Sequence, residues 1–309
     1  MAEIYEKLQP FDVKAEPPRC ERWKNHMPAS RDPETYAIYI KARRQWRSKR
    51  DWQHSRQENV QILAAVNLAA ERGDWGAISL MSHFYLNGLG ILDSNNAQPP
   101  DPKKAVDLMF KGANAGQAWG FYDLGVAFEH GYAGLRASHD AVWRLYLKAA
   151  QLGSPDAQMV LAEAYEEVER RDAAELMMLC AYQQGHGPAS HELGLRAEVN
   201  EKDAAALKYY QDGVRYGDKN SASALYMLFK DGKFLSSSDI SAESLDALHI
   251  TKDPDRRRRY EAIRDAFDAN PDLKFPLIDK FVPLPPIPLP AWKGIEDAIG
   301  PQSDDNPTY

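Results

Sequence analysis

Histidine is the residue type in this chain best suited to catalysis or metal binding, because its imidazole transfers protons and ligates metals near neutral pH. The spacing of the histidines indicates neither function. No two lie four residues apart around a glutamate, as in helical zinc proteases, and His186 and His191 are expected on different sides of a helix start. The eight histidines are His26, His54, His83, His130, His139, His186, His191 and His249.

Other catalytic patterns are also missing from the sequence. It contains no Gly-x-Ser-x-Gly motif, no glycine-rich phosphate loop and no Cys-x-x-Cys pair. The acid cluster between Glu163 and Glu169 is typical of a solvated face and could serve as a docking face. The sequence therefore predicts a protein that is not an enzyme and that uses no cofactor or metal.

The two cysteines lie far apart in the sequence. Cys20 is in a proline-rich leader, and Cys180 lies among apolar residues of an expected helix. The local pattern predicts that Cys180 is a small buried hydrophobic residue. A disulfide between them is possible but does not follow from two isolated positions.

Composition limits the class of partner and the compartment. The chain has 309 residues and a net charge of −7, which argues against nucleic acid and is compatible with a basic partner. It has no apolar run of the roughly 18 residues that a membrane span needs. Its polar start, Met1–Lys7, is no secretory signal. We expect a periplasmic protein if the sequence is a trimmed mature form, and otherwise a cytoplasmic one.

A repeated pattern of glycine and apolar residues organises the middle of the chain. A glycine recurs five times at intervals of thirty to forty-odd residues, with a small residue four positions later and a core-sized apolar residue eight positions later. Such offsets lie on one face of a helix, and the period suits two helices per unit. The repeated glycines are Gly73, Gly116, Gly153, Gly185 and Gly217.

A second helix is expected before each glycine. Small residues such as Ala149 and Ala150 near its end would let two helix backbones approach closely. Aspartates just ahead of these helices are expected as N-caps or first-turn acids, and the glycines as left-handed C-caps. These aspartates are Asp101, Asp140, Asp172 and Asp203.

This pattern resembles the Sel1-like repeat, a relative of the tetratricopeptide repeat. The segment from Gly73 through Tyr85, Gly88 and Asp101 is a close match, and the resemblance covers residues 59–232. It implies an all-α fold, a right-handed α-solenoid of two-helix repeats. We expect three parts: a leader and N-terminal capping helix (1–58), the repeats (59–232), and a C-terminal helix with a proline-rich wrapping tail (233–309).

Both ends of the chain leave alternatives open. The basic, aromatic segment 36–56 suggests a helix that binds nucleic acid or a membrane surface, or simply one that caps the solenoid. Residues 275–292 are expected to be extended because of their prolines, either as a tail packed along the helices or as a ligand for a proline-recognising domain. The run Arg256–Arg259 is expected at a solvated edge, Ser236–Asp239 as a helix cap, and residues 302–309 as frayed.

Resemblance to tetratricopeptide repeats implies that the first helix of each unit lines a concave face. Trp119 and Tyr122 would be exposed aromatic anchors, and neighbouring acids would attract a basic partner. Alternatively, the two rings pack against the tail or an adjacent unit. The positions expected on this face are His83, Trp119, Tyr122, Glu129, Asp156, Met159, Glu163, Glu166, His191 and Met227.

The tail phrase Val282–Trp292 resembles the ending of a bacterial domain of unassigned function that follows Sel1-like repeats. Repeat proteins with this ending resemble immunity proteins encoded beside type VI secretion phospholipase effectors. The resemblance implies a non-catalytic partner that binds the toxin and occludes its active site. Two alternatives remain, a scaffold for bacterial signalling or envelope assembly and an enzyme of unrecognised type in the region after Gly232.

Overall fold

The computed structural model describes residues 4–136, 138–234 and 245–299, and in these ranges the regular structure is helical. An isolated antiparallel bridge joins Leu89 to Gln98. The chain divides into two compact units at the junction of Ala181 and Tyr182. This junction falls inside the repeat region of the sequence, and the three-part division proposed above stays a prediction. The Ser236–Asp239 cap and residues 302–309 lie outside the described residues.

The helices of the first unit are α1 (Pro33–Arg47), α2 (Arg56–Glu71), α3 (Trp75–Asn87), α4 (Pro102–Asn114), α5 (Ala118–His130), α6 (His139–Gln151), α7 (Pro155–Glu167) and α8 (Arg171–Tyr182), the last of which ends at the unit junction. Each helix from α1 to α6 packs on the next helix along the chain.

The second unit continues the pattern and then leaves it. After the last repeat helices comes a longer helix, followed by the proline-rich segment. The helices are α9 (Gly187–Val199), α10 (Asp203–Arg215), α11 (Lys219–Asp231), α12 (Pro254–Ala269) and α13 (Ile278–Phe281). The predicted all-α fold of two-helix Sel1-like repeats is confirmed.

Each repeated glycine lies in the turn between one helix and the next. All five have φ between +75° and +92°, the left-handed region that favours glycine. The predicted acids are in place as well. Asp101 caps α4 by accepting from the Lys104 N–H, while Asp140, Asp172 and Asp203 lie in first turns.

Small residues bring the backbones of α4 and α5 together. A Cβ on Gly120 would lie 2.2 Å from the Ala113 nitrogen, and a Cβ on Gly112 would lie 2.4 Å from the Trp119 ring. The ring of Trp119 therefore occupies space that only a glycine leaves open. The two glycines let the helices approach closely, and the Trp119 ring fills the space that Gly112 leaves between them.

The start of the first unit is held by Arg31. Its guanidinium makes two 2.9 Å hydrogen bonds to Asp74, whose carboxylate also caps α3 by accepting from the Ala77 N–H. The same guanidinium stacks over Trp75 and Tyr36, 4.1 Å and 4.2 Å from the ring centres. This geometry fixes the entry to α1, whose Tyr39 and Trp46 are buried in the core.

The proline-rich leader packs along the first unit. The Phe11 ring stacks on Trp143 at 5.0 Å, and the side chain of Arg144 donates to the Leu8 carbonyl. Arg170 donates to two further leader carbonyls, those of Val13 and Ala15. A segment outside helices and sheets pairs few of its carbonyls internally, and these side chains supply donors to three of them.

A disulfide fixes the end of the leader. Cys180 is buried, as predicted, but it is bonded to Cys20 and is not a free thiol. The sequence alone does not show this pairing, because the two cysteines are 160 residues apart and only the tertiary fold brings them together.

The predicted solvated edge at Arg256–Arg259 is wrong for two of its four residues. Arg256 is buried, and its guanidinium donates to the Pro283 and Ile287 carbonyls and pairs with Asp253. Arg259 donates to the carbonyls of Phe281 and Pro290. Prolines leave a segment short of N–H donors, and these arginines bond the tail carbonyls to α12.

The tail packs against the core of the second unit, as the packed-tail alternative predicted. Val282 is buried, while Leu284, Leu289 and Trp292 are partly buried against the same core. One part of the expectation is wrong, because residues 278–281 form a turn of helix, α13, and are not extended. The prolines flank this turn without interrupting it.

Reduction should destabilise the chain, because the disulfide joins the leader to α8. We expect dithiothreitol to lower the free energy of unfolding by about 3–5 kcal/mol, the value for closing a long loop. Thermal unfolding with and without reductant measures the effect. A Cys20→Ser/Cys180→Ser double variant is the control and should be insensitive to reductant. A wild-type Tm that reductant leaves unchanged would contradict the linkage.

Arg256→Met should destabilise the second unit, because it leaves the carbonyls of Pro283 and Ile287 and the Asp253 carboxylate without their buried partner. We expect a loss of about 2–4 kcal/mol in urea unfolding. Arg258→Met is the matched control, since this side chain is exposed and pairs only with exposed Asp255 among its described contacts. It should change stability by less than about 0.5 kcal/mol. Equal losses in the two variants would show that the tail does not depend on Arg256.

Candidate protein-binding surface

Acidic side chains of α5 and α7 converge on Tyr122 in the first unit. Burial raises the pKa of Tyr122, and the charges of Asp156, Asp123, Glu129 and Glu163 raise it further. These five residues are called the acidic surface below. Three of these acids are among the positions predicted for the concave face: Glu129, Asp156 and Glu163.

Asp123 is the most perturbed acid of this surface. Burial and then the nearby charge of Asp156 raise its pKa to about 7. Both effects favour the protonated form of Asp123, and burial contributes more than the charge of Asp156. A cation bound near Asp123 and Asp156 would favour the ionised form of Asp123.

Aromatic rings support the acidic surface from α6. The Tyr146 hydroxyl donates to the Glu129 carboxylate at 2.5 Å, and the Tyr146 and Tyr122 rings lie 5.9 Å apart. Burial, followed by the bond to Glu129, raises the pKa of Tyr146. Tyr146 also leaves no room for a side chain at Gly125, where a Cβ would be 2.6 Å from its ring. Glu129 is thus held in a fixed position.

Trp119 is not an exposed anchor. Only 1% of its surface is accessible, and its indole N–H donates to Gln117 at 2.6 Å. Its ring packs against Gly112 of α4, so of the alternatives it is packing against an adjacent repeat that is observed. Tyr122, one turn further along α5, is only partly buried and remains accessible to a partner.

His83 lies in a basic environment, apart from the acids. Its ring is 5.5 Å from that of Trp46, which belongs to α1, and part of the residue stays exposed. Desolvation of the ring lowers its pKa to about 4, and the charges of Arg47 and Arg43 act in the same direction. The imidazole is therefore neutral at physiological pH.

The other predicted positions are at least partly accessible. Met159 is partly buried and Glu166 is exposed, both on α7. In the second unit, His191 lies 5.8 Å from the ring of Tyr210, whose hydroxyl donates to Glu198 at 2.7 Å. Met227 on α11 is partly buried.

Asp123 was missed by the sequence analysis. The repeat offsets place it one position beyond the groove-facing Tyr122, so the pattern assigned it no role. The available signal was an acid directly beside an expected anchor residue. The effect of Asp156 on its pKa depends on how α5 and α7 pack and has no counterpart in the sequence.

The described residues contain no group of three or more His, Cys, Asp or Glu side chains arranged to hold a metal ion. Among the described helices, none combines the length and apolar character required to cross a bilayer. The chemistry of the acidic surface is that of binding: fixed carboxylates beside a partly buried ring suit recognition of cationic groups.

Three solved structures from Pseudomonas aeruginosa resemble this chain over nearly their whole length. PA5086 is 30% identical with a TM-score of 0.64, covering 89% of this chain and 97% of its own. The immunity protein Pa5087 is 30% identical with a TM-score of 0.66, covering 87% and 95%. The immunity protein PA5088 is 28% identical with a TM-score of 0.65, covering 89% and 96%.

A family model described as a domain of unknown function, DUF6396, matches residues 222–299. That range includes most of α11, all of α12 and the tail. No curated protein matches the chain. Pa5087 and PA5088 are both described as immunity proteins. With 30% identity over at least 95% of each relative, the chain belongs to the family of the Pseudomonas aeruginosa proteins PA5086 and Pa5087.

Proposed function

We propose that this chain is an immunity protein that binds a toxin effector and occludes the toxin's active site. Two relatives that this chain covers almost completely, Pa5087 and PA5088, are immunity proteins, and the fold is a repeat architecture suited to gripping another protein. The observation that carries the proposal for this chain is the acidic surface around Tyr122.

The acidic surface indicates what the toxin must present. The charges of four acids act on one partly buried ring, and the ionised form of Asp123 is disfavoured first by burial and then by repulsion from Asp156. A lysine or arginine of the partner would relieve this repulsion and stack on Tyr122. Phospholipase D-type active sites are rich in histidine and lysine. The proposed target is therefore a type VI secretion effector of the phospholipase class.

The disulfide supports a periplasmic location. Structural disulfides persist in oxidising compartments such as the bacterial periplasm and are rare in the cytosol. The bond between Cys20 and Cys180 fixes the leader against the first unit, so it has a structural role. A lipid-degrading toxin delivered to the envelope would be met in the same compartment.

Charge reversal tests the acidic surface. Asp156→Lys/Glu163→Lys should weaken binding of the cognate toxin by at least about tenfold, because like charges would then face each other. Titration calorimetry and inhibition of phospholipid hydrolysis both measure the effect.

Asp107→Lys/Glu175→Lys is the matched control, with the same charge change at exposed positions of α4 and α8. It should inhibit the toxin like wild type. Full lipase activity in a molar excess of wild-type chain would refute the proposal and favour the scaffold alternative. Wild-type Tm for both variants would establish that they fold.

Affinity for the toxin should rise with pH between about 6 and 8, because a cation binds the ionised form of Asp123, whose pKa is about 7. The sign follows from proton release: below pH 7 the carboxyl must first lose its proton, which costs affinity. The neighbouring charge that acts on Asp123 is that of Asp156, and the charge of Asp123 in turn acts on Tyr122.

Asp123→Asn isolates this effect, because the amide keeps the shape and does not titrate. The affinity of this variant for the toxin should vary less with pH than that of wild type. Histidines of the toxin gain charge at low pH, but they change the affinity of both proteins equally. Identical pH profiles for the two proteins would contradict the assignment to Asp123.

A further inference from the structure

An apolar tip projects from the first unit next to its most basic segment. It consists of Trp52, Ile91 and Leu92, which expose 51%, 67% and 46% of their surface. A single exposed apolar residue is common on protein surfaces. A group of large exposed apolar side chains indicates a contact surface.

The apolar tip is held in place by buried polar groups. The Asn95 side chain donates to the carbonyls of Asp51 and His54, and its oxygen accepts from the Leu92 N–H. The Ile91 N–H donates to the Asp51 carboxylate at 2.8 Å, which joins the loop to the residue before Trp52. Asn59 donates to the Asn95 carbonyl from α2. These hydrogen bonds hold the backbone of the tip in place, while its apolar side chains remain exposed to solvent.

The segment beside the tip has a charge opposite to that of the whole chain. Between positions 41 and 56 seven cationic side chains stand against one carboxylate, Asp51, in a protein of net charge −7. The Arg50 guanidinium lies 5.4 Å from the centre of the Trp52 ring. Besides Asp51, nearby anions include Glu58, which pairs with Lys49, and the exposed Asp93. The cations are Lys41, Arg43, Arg44, Arg47, Lys49, Arg50 and Arg56.

We propose that this end of the first unit docks on the surface of an anionic phospholipid bilayer. Trp52, Ile91 and Leu92 would enter the headgroup region, where an amphipathic indole is favoured. The surrounding lysines and arginines would contact lipid phosphates, while the acidic surface around Tyr122 would be repelled and stay free. A nucleic acid would use the cations but would leave Ile91 and Leu92 exposed to water. The proposal does not depend on the immunity function.

Vesicle co-sedimentation of the purified chain tests the proposal without any toxin. We expect binding to phosphatidylcholine vesicles that contain about 30 mol % phosphatidylglycerol, and little binding to pure phosphatidylcholine. Trp52→Ser and, separately, Ile91→Ser should each weaken this binding by at least about fivefold. Lys41→Gln/Arg56→Gln should weaken it by roughly fivefold per charge removed.

Matched controls lie in the second unit. Val199→Ser removes an apolar side chain that is 72% exposed on α9, and Lys208→Gln removes an exposed cation on α10. Both should bind vesicles like wild type. Absence of binding to anionic vesicles, equal binding to neutral ones, or equal losses in the controls would overturn the proposal. Preferential binding of a DNA duplex over the vesicles would overturn it in favour of nucleic acid.

Discussion

The left-handed turn at the end of alternate helices is the constraint on which the repeat structure depends. A residue with φ near +80° lets the chain reverse within a few residues, and glycine occupies it five times. The reversal is useful only if the next helix can pack closely. Gly120, whose Cβ would collide with the Ala113 backbone, shows how tight that approach is. Turn and close packing together align α5 with α7, and their acids consequently meet around Tyr122.

The proline-rich segments at both ends of the chain are held by the same kind of contact, hydrogen bonds from arginine side chains to backbone carbonyls. Prolines lack the N–H donor and limit helix formation, so many carbonyls of these segments need donors from elsewhere. In the first unit Arg144 and Arg170 supply them to the leader. In the second unit Arg256 and Arg259 supply them to the tail. Arginine suits this role because its several N–H donors lie in one plane and can serve two carbonyls at once.

Charge in the first unit is sorted by position. Carboxylates gather on α5 and α7, while cations gather at the end of α1 and in the segment after it. His83 illustrates the separation, because Arg43 and Arg47, together with desolvation, keep it neutral although it was expected on the same face as the acids. A chain of modest net charge can therefore present two surfaces of opposite sign to two different partners.

The sequence alone determined the helical repeats, because glycine turns, apolar spacing and first-turn acids are local features that each short segment carries by itself. It also identified most acids of the candidate surface, since they recur at fixed offsets. Only the tertiary structure decided that Trp119 is buried, that Arg256 holds the tail and that Cys20 meets Cys180. The raised pKa of Asp123 likewise needs its burial and the proximity of a residue on another helix. These properties depend on contacts between residues distant in sequence, and a local pattern does not encode such distances.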